Sequence, residues 1–250
     1  MVTKIAIKDI TKSFNSHLIL NNLNLNISKG KITAFFGPNG CGKSTLFNIL
    51  SGLVKQDSGE LNFKTKNNKK ELNYMFQNYQ ESLLPWRTNY ENLSLPLEVK
   101  GKDSKVIKTN ISNLTTKYNF GIDLESYPYE LSGGQKQFLA FLRTIITKPN
   151  ILLLDEPFSS IDYENSFKLA NKLQDYYLEN KPTILVITHN IEEAVFLADE
   201  IIILSGKPAK VIGKIKNPLL YPRTIEVLKT EKFNEIKNKA LKIFQSEVNL

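Results

Sequence analysis

Residues 32–44 read Ile-Thr-Ala-Phe-Phe-Gly-Pro-Asn-Gly-Cys-Gly-Lys-Ser. The first five, Ile32–Phe36, are almost wholly apolar, as expected of a strand buried on both faces. The next eight, Gly37–Ser44, fit the spacing G-x-x-x-x-G-K-[ST], and Ser44–Leu53 follows with helical spacing of its apolar residues. Strand, glycine-rich loop and helix in succession make an anion cradle. Glycines let backbone N–H groups turn inward, and the helix aims its positive end at the same place. Gly37, Pro38, Asn39, Gly40, Cys41, Gly42, Lys43, Ser44 and Thr45 are therefore candidate phosphate-binding residues. Lys43 supplies a point charge for the β and γ phosphates, and the Ser44 hydroxyl is placed to ligate Mg²⁺.

Upstream, Ile5, Ile7 and Ile10, then Leu18, Leu20, Leu23, Leu25 and Ile27, alternate with near period two and predict two or three antiparallel strands. Downstream, Asp57-Ser58-Gly59 reads as a turn, and Glu60–Phe63 and Leu72–Phe76 as strands, with lysine-rich 64–70 as an exposed hairpin between them. From Gln77 to Leu131 the texture is polar, with Pro85, Pro96 and Pro128 and helical patterning near 103–119, which predicts a small helical insertion. A strict alternation then predicts helix 134–147, strand 151–155, helix 163–179, strand 183–188, helix 191–198 and strand 200–205. Strand and helix in alternation argue for a parallel sheet flanked by helices. The tail after Gly213 ends in an amphipathic helix with Phe233, Ile236, Ala240, Ile243 and Phe244 on one stripe, read as packing on the body.

Further residues fall where chemistry would need them. Ile151–Leu154 is a buried strand that releases two carboxylates, Asp155 and Glu156, at its C-terminal end, the edge where open α/β sheets bind ligands. Asp155 would hold a metal through its water shell, and Glu156 would polarise an attacking water. Leu131-Ser132-Gly133-Gly134-Gln135 opens a helix and forms a second anion site, with Ser132, Gly133, Gly134 and Gln135 as contacts. Gln77 could reach the metal or the water. His189 could reach the γ phosphate and would lie beside Glu156 if their strands are neighbours. Phe14 could stack on adenine, and Asp162 could shape the turn after Glu156. Taken singly, His189 reads as a satisfied structural histidine and Phe14 as a core residue.

Composition narrows the class. The chain has 250 residues, 41% of them hydrophobic and 23% charged, an ordinary globular balance. No apolar run approaches the ~18 residues that span a bilayer, and the N-terminus has no hydrophobic secretory segment. One cysteine, Cys41, permits no internal disulfide and fits a reducing compartment. Beside a helix N-terminus its thiol pKa is expected to fall, and nucleotide to shield it from alkylation. The net charge is +8, but only Arg87, Arg143 and Arg223 are arginines among 33 basic residues, and the lysines are scattered. The excess reads as Lys and Asn codon bias rather than as a nucleic-acid surface.

Taken in order, these parts resemble the ATP-binding subunit of an ATP-binding cassette (ABC) transporter. The likeness runs from about Lys4 to Gly213 through Phe14, the Walker A loop Gly37–Ser44, the Q-loop Gln77, the signature Leu131–Gln135, the Walker B strand Ile151–Asp155, Glu156, the loop 159–162 and His189. It implies an α/β P-loop cassette: a mixed RecA-like parallel core, an N-terminal antiparallel β subdomain, and a helical insertion over about 78–135. It also implies a cassette over 1–213 and an extension over 214–250. It makes Glu156, His189 and Lys43 the catalytic set, and Ser44, Gln77 and Asp155 the Mg²⁺ set for bound ATP. In that family two subunits form a head-to-tail dimer, each ATP lying between one Walker A and the other signature. The segment Leu83-Leu84-Pro85-Trp86-Arg87-Thr88, with Tyr127-Pro128 and Pro222-Arg223, is similar to nitrate/sulfonate/taurine-type importers, relatives of which carry thiamine precursors and other vitamins. The implied partners are a second copy, a membrane permease contacted through Trp86 and Leu84, and indirectly a substrate-binding protein, at the cytoplasmic face of the membrane. An exporter ATPase or a soluble non-transport ABC protein is the alternative. Tyr129, Lys136, Phe138 and Leu142 depart from the family's usual residues around the signature.

Overall fold

In the computed structural model, which describes residues 4–63, 71–119, 121–159 and 161–248, two sheets share the chain. The first is antiparallel and three-stranded, in the order β2-β1-β4, with β1 at Lys4–Phe14, β2 at His17–Ser28 and β4 at Ser58–Phe63. The second is six-stranded, in the order β5-β6-β7-β3-β8-β9. Its members are β3 (Ile32–Phe36), β5 (Leu72–Met75), β6 (Ile151–Asp155), β7 (Thr183–Thr188), β8 (Glu200–Leu204) and β9 (Val211–Lys216). All of its pairings are parallel except β8 with β9. The expected class, a mixed sheet with an antiparallel N-terminal β subdomain, is the one observed. β3, β6, β7 and β8 are buried at every position, which is why their sequences run apolar without alternating.

Two hydrophobic cores follow from this layering. One lies between the antiparallel sheet and one face of the large sheet. There Ile10, Leu23 and Ile27 meet Phe35, Leu153 and Ile187 across α1 (Lys43–Ser51), whose Phe47 stacks edge-on against Phe35 at 5.7 Å. The other covers the opposite face with α2 (Tyr79–Ser82), α3 (Asn89–Val99), α4 (Ser104–Lys117), α5 (Gly133–Ile145), α6 (Tyr163–Asn180), α7 (Ile191–Leu197) and α8 (Glu231–Val248). The α8 stripe packs on the body as expected: Phe233, Ile236 and Ala240 are buried, and Phe244 meets Phe36 at 5.2 Å.

Two expectations need correction. Ser58 and Gly59 are not a turn but the start of β4. Gly59 has φ +91°, and a Cβ there would lie 2.3 Å from the Asp9 carbonyl oxygen, so this glycine marks an irregularity where β1 and β4 cross closely. The strands flanking 64–70 do not form a hairpin, because β4 pairs with β1 and β5 with β6 in the other sheet; residues 64–70 themselves lie outside the described residues. Gly213 lies inside β9, the edge strand of the large sheet. Helix α3 went unforeseen because Pro96 reads as a breaker. Its start is nonetheless written in Thr88-Asn-Tyr-Glu91, where Glu91 N–H donates to the Thr88 hydroxyl and Thr88 N–H to the Glu91 carboxylate.

Candidate functional site

β3, β6 and β7 are adjacent and parallel, so their C-terminal ends deliver the loop after Phe36, the pair Asp155 and Glu156, and His189 to one edge. The loop arches over the start of α1. Gly40 and Gly42 adopt φ of +72° and +120°, values that L side chains rarely take, and a Cβ at Gly42 would lie 2.9 Å from Ile19. No side chain caps α1, which leaves its first N–H groups to the cradle. Lys43, 5% exposed, donates to the carbonyl oxygens of Gly37 and Pro38, each at 2.8 Å, and its ammonium carries three donors in all. Phe14 (45% exposed), Asn39, Gly40, Gly42, Lys43, Ser44, Thr45, Gln77 and Glu156 line one cleft. Phe14 comes from the antiparallel sheet and the glycine-rich loop from the large one.

Glu156 sits at φ +47°, an uncommon conformation for a non-glycine residue. Its N–H donates to the Ile187 carbonyl and its carbonyl accepts from the Ser159 hydroxyl, so strand β7 and its own following turn hold it there. Its carboxylate accepts from Gln77 Nε2 at 3.3 Å and lies 3.1 Å from His189 Nδ1. Two residues read separately from the sequence, Gln77 and His189, thus converge on one carboxylate oxygen of a third, Glu156. Asp155 is buried, with one oxygen accepting from the Tyr74 hydroxyl at 3.1 Å and the other, Oδ1, without a protein partner. Burial holds its carboxyl above the ordinary range, against the opposing pull of the Ser44 and Tyr74 hydroxyls. A buried carboxylate oxygen without a donor, beside a serine hydroxyl, fits the water shell of a divalent cation.

The signature lies elsewhere. Ser132 caps α5, accepting from Gln135 N–H while Ser132 N–H donates to Gln135 Oε1, and Gln135 Nε2 donates to the Gly121 carbonyl. Ser132 and Gly133 are exposed, Gly134 and Gln135 partly so, and none of the four lines the cleft around Lys43. Asp162 caps α6 by accepting from Asn165 N–H at 2.9 Å. Cys41 departs from expectation: burial pushes its thiol pKa up, outweighing the Lys43 charge that would lower it. Trp86 is 72% exposed and Leu84 partly buried, so the tryptophan does not pack within the insertion.

Residues 20–159 match the family described as ABC transporter. An aliphatic sulfonates import ATP-binding protein, SsuB of Bacillus cereus, is 35% identical over 249 residues, covering 96% of each chain. This chain belongs to the ABC transporter family. SsuB of Bacillus subtilis (strain 168) is 32% identical, covering 100% of this ABC cassette and 97% of that protein. A solved dimeric ATP-binding cassette in a post-hydrolysis state bound to ADP and Pi is 27% identical, with a TM-score of 0.75 over 86% of this chain and 100% of that one. No helix of the described residues is long and apolar enough to cross a membrane.

Two contributors to the cassette's cleft were missed. Tyr74 donates to Asp155 from the neighbouring strand, and only the β5–β6 register reveals it. Lys207 lines the cleft from the loop between β8 and β9, and nothing local in the sequence distinguishes it from the other lysines.

Proposed function

We propose that this ABC cassette is the ATP-hydrolysing subunit of an importer, energising passage of a small molecule through a membrane permease at the cytoplasmic face of the membrane. The convergence of Gln77 and His189 on the Glu156 carboxylate is the observation that carries hydrolysis. Full-length similarity to sulfonate import ATP-binding proteins supports import, and a small anion of the nitrate/sulfonate/taurine type is the favoured cargo class.

Each residue has a part. Phe14 stacks on adenine while Lys43 and the N–H groups of the loop hold the phosphates. Ser44 and Gln77 would hold Mg²⁺, with Asp155 behind them; when bound, the ion would neutralise phosphate charge. Glu156 orients and polarises the attacking water, and His189, fixed beside it, faces the γ phosphate. The exposed Ser132 and the partly exposed Gly134 meet the γ phosphate bound by a second copy, in a head-to-tail homodimer. Those contacts exist only in the closed pair, so ATP favours closure and loss of the γ phosphate favours opening. Trp86 and Leu84 present an apolar contact to the permease, and a substrate-binding protein delivers the cargo from the far side.

Pull-down of tagged protein from native membranes in mild detergent tests the assignment. Recovery of a small multi-span permease is the expected result, with ATP-dependent sulfonate uptake in reconstituted vesicles. Recovery of ribosomal or DNA-bound partners without a membrane protein would overturn import and leave the ATPase chemistry standing.

A further inference from the structure

Helix α7 has only seven residues, Ile191–Leu197, and begins immediately after His189 and its capping residue Asn190. Five of those seven are buried, so it has little freedom to tilt without moving the core. At its N-terminal end Asn190 Oδ1 accepts from Glu192 N–H, Asn190 N–H donates to the Thr188 hydroxyl, and that hydroxyl donates to the Glu193 carboxylate. His189 therefore stands on a turn tied to the helix on both flanks.

A helix this short leaves most of its carbonyls without an intrahelical partner. Every one at its C-terminal end is taken by a side chain from the segment 217–223. Asn217 Nδ2 donates to the carbonyls of Val195 and Ala198. The Tyr221 hydroxyl donates to the Leu197 carbonyl. Arg223 Nη1 donates to the carbonyls of Val195, Phe196 and Ala198, each at 3.0 Å, and its remaining nitrogens to Leu219. Arg223 is 1% exposed, lies over the Tyr221 ring at 4.1 Å, and has no carboxylate within ion-pair distance among the described residues. Burying a guanidinium without a direct ion pair is costly, and what offsets it here is the carbonyls at the negative end of α7, with the Asp199 carboxylate acting from farther away. Lys237 of α8 adds an ion pair to Glu192 at 3.0 Å.

We propose that Arg223 is a positioning residue for hydrolysis: through α7, about 10 Å long at 1.5 Å per residue, it fixes where His189 sits against Glu156. The segment after β9 is thus part of the catalytic apparatus rather than an appendage, and this rests on the hydrolytic reading above. The guanidinium fork is needed because it bonds the α7 carbonyls through Nη1 while Nε and Nη2 anchor it to the Leu219 carbonyl, and an ammonium in its place keeps the charge but loses that second anchor.

The test is a double-mutant cycle in the full chain. Arg223→Met, Arg223→Lys and Tyr221→Phe are each made alone and with His189→Ala, and folded fraction, nucleotide affinity and ATP turnover per folded chain are measured. Arg223→Met should lower turnover about 3- to 10-fold with nucleotide affinity within about twofold. Arg223→Lys should recover part of the loss. Added to His189→Ala, Arg223→Met should cost nothing more, since the group it positions is gone. The clamp is overturned if the two penalties multiply, or if Arg223→Met turns over normally while His189→Ala does not. Normal turnover by His189→Ala would sink the hydrolytic role of that residue and the clamp with it. If Arg223→Met fails to fold, the Arg223→Lys and Tyr221→Phe cycles decide by the same criterion.

Discussion

Two helix starts in this chain carry small residues, and they are finished in opposite ways. At α1 nothing caps the helix, the lysine that follows is buried, and Gly40 and Gly42 hold the backbone where a side chain would not fit. At α5 the cap is complete, with Ser132 and Gln135 answering each other, and the turn faces solvent. The first start keeps its donors free for a ligand and relies on the surrounding core for its shape. The second holds its shape through that cap, with Tyr79 donating to the Gly133 carbonyl and Gln135 Nε2 to the Gly121 carbonyl. A capped Ser132 hydroxyl still has its proton to donate. One chain therefore carries one helix start left open for a ligand and one closed on itself.

The sharpest way to break this division is at the water. Glu156→Gln should cut turnover by ~10²–10⁴-fold while nucleotide binding persists; unchanged turnover would remove Glu156 from the reaction. Lys43→Ala should weaken equilibrium nucleotide binding by ~10–100-fold, the loss of charge-assisted contacts. Ser132→Arg should leave the affinity of the isolated chain intact and abolish turnover. Mixing Lys43→Ala with Ser132→Arg chains should restore measurable turnover, since one of the two composite sites in such a dimer is intact. No recovery would mean that the two starts do not meet. Ser132→Ala, which removes the cap, should lower stability by about 1 kcal/mol in chemical denaturation.

The smallest effect concerns Cys41. With its thiol pKa raised in the fold, alkylation at pH 7 should be slow, and it should accelerate only above the ordinary thiol range near 8.5. Stability from this shift is present below the unfolded pKa and lost as pH rises through the folded one. Labelling as fast as in the denatured chain would contradict the burial.

Much of this was legible in order along the chain, for a physical reason. Ile32–Phe36, Ile151–Asp155 and Thr183–Thr188 are strands buried on both faces, and their apolar runs announce them without help from neighbours. Because the three are parallel and adjacent, residues just past their ends are forced together, which is why Glu156 and His189 could be paired from position alone. What escaped depends on partners distant in sequence. Whether Phe63 and Leu72 belong to one sheet or two is not written between them. The thiol of Cys41 is governed by how deeply the loop sinks. Arg223, noticed only as part of a recurrent dipeptide, gains its meaning from carbonyls on α7.

That Phe14 and the phosphate loop belong to separate sheets bears on the protein's breathing. A nucleotide held at both ends would staple one sheet to the other, and at a hundredfold excess over its Kd it would add about 2.7 kcal/mol against global unfolding. Much of that gain would fall on the β1–β2 ribbon, whose turn at Asn15 and Ser16 has left-handed backbone angles. Amide protons there should exchange more slowly once ATP is bound, and the two sheets should open as one cooperative unit rather than as two.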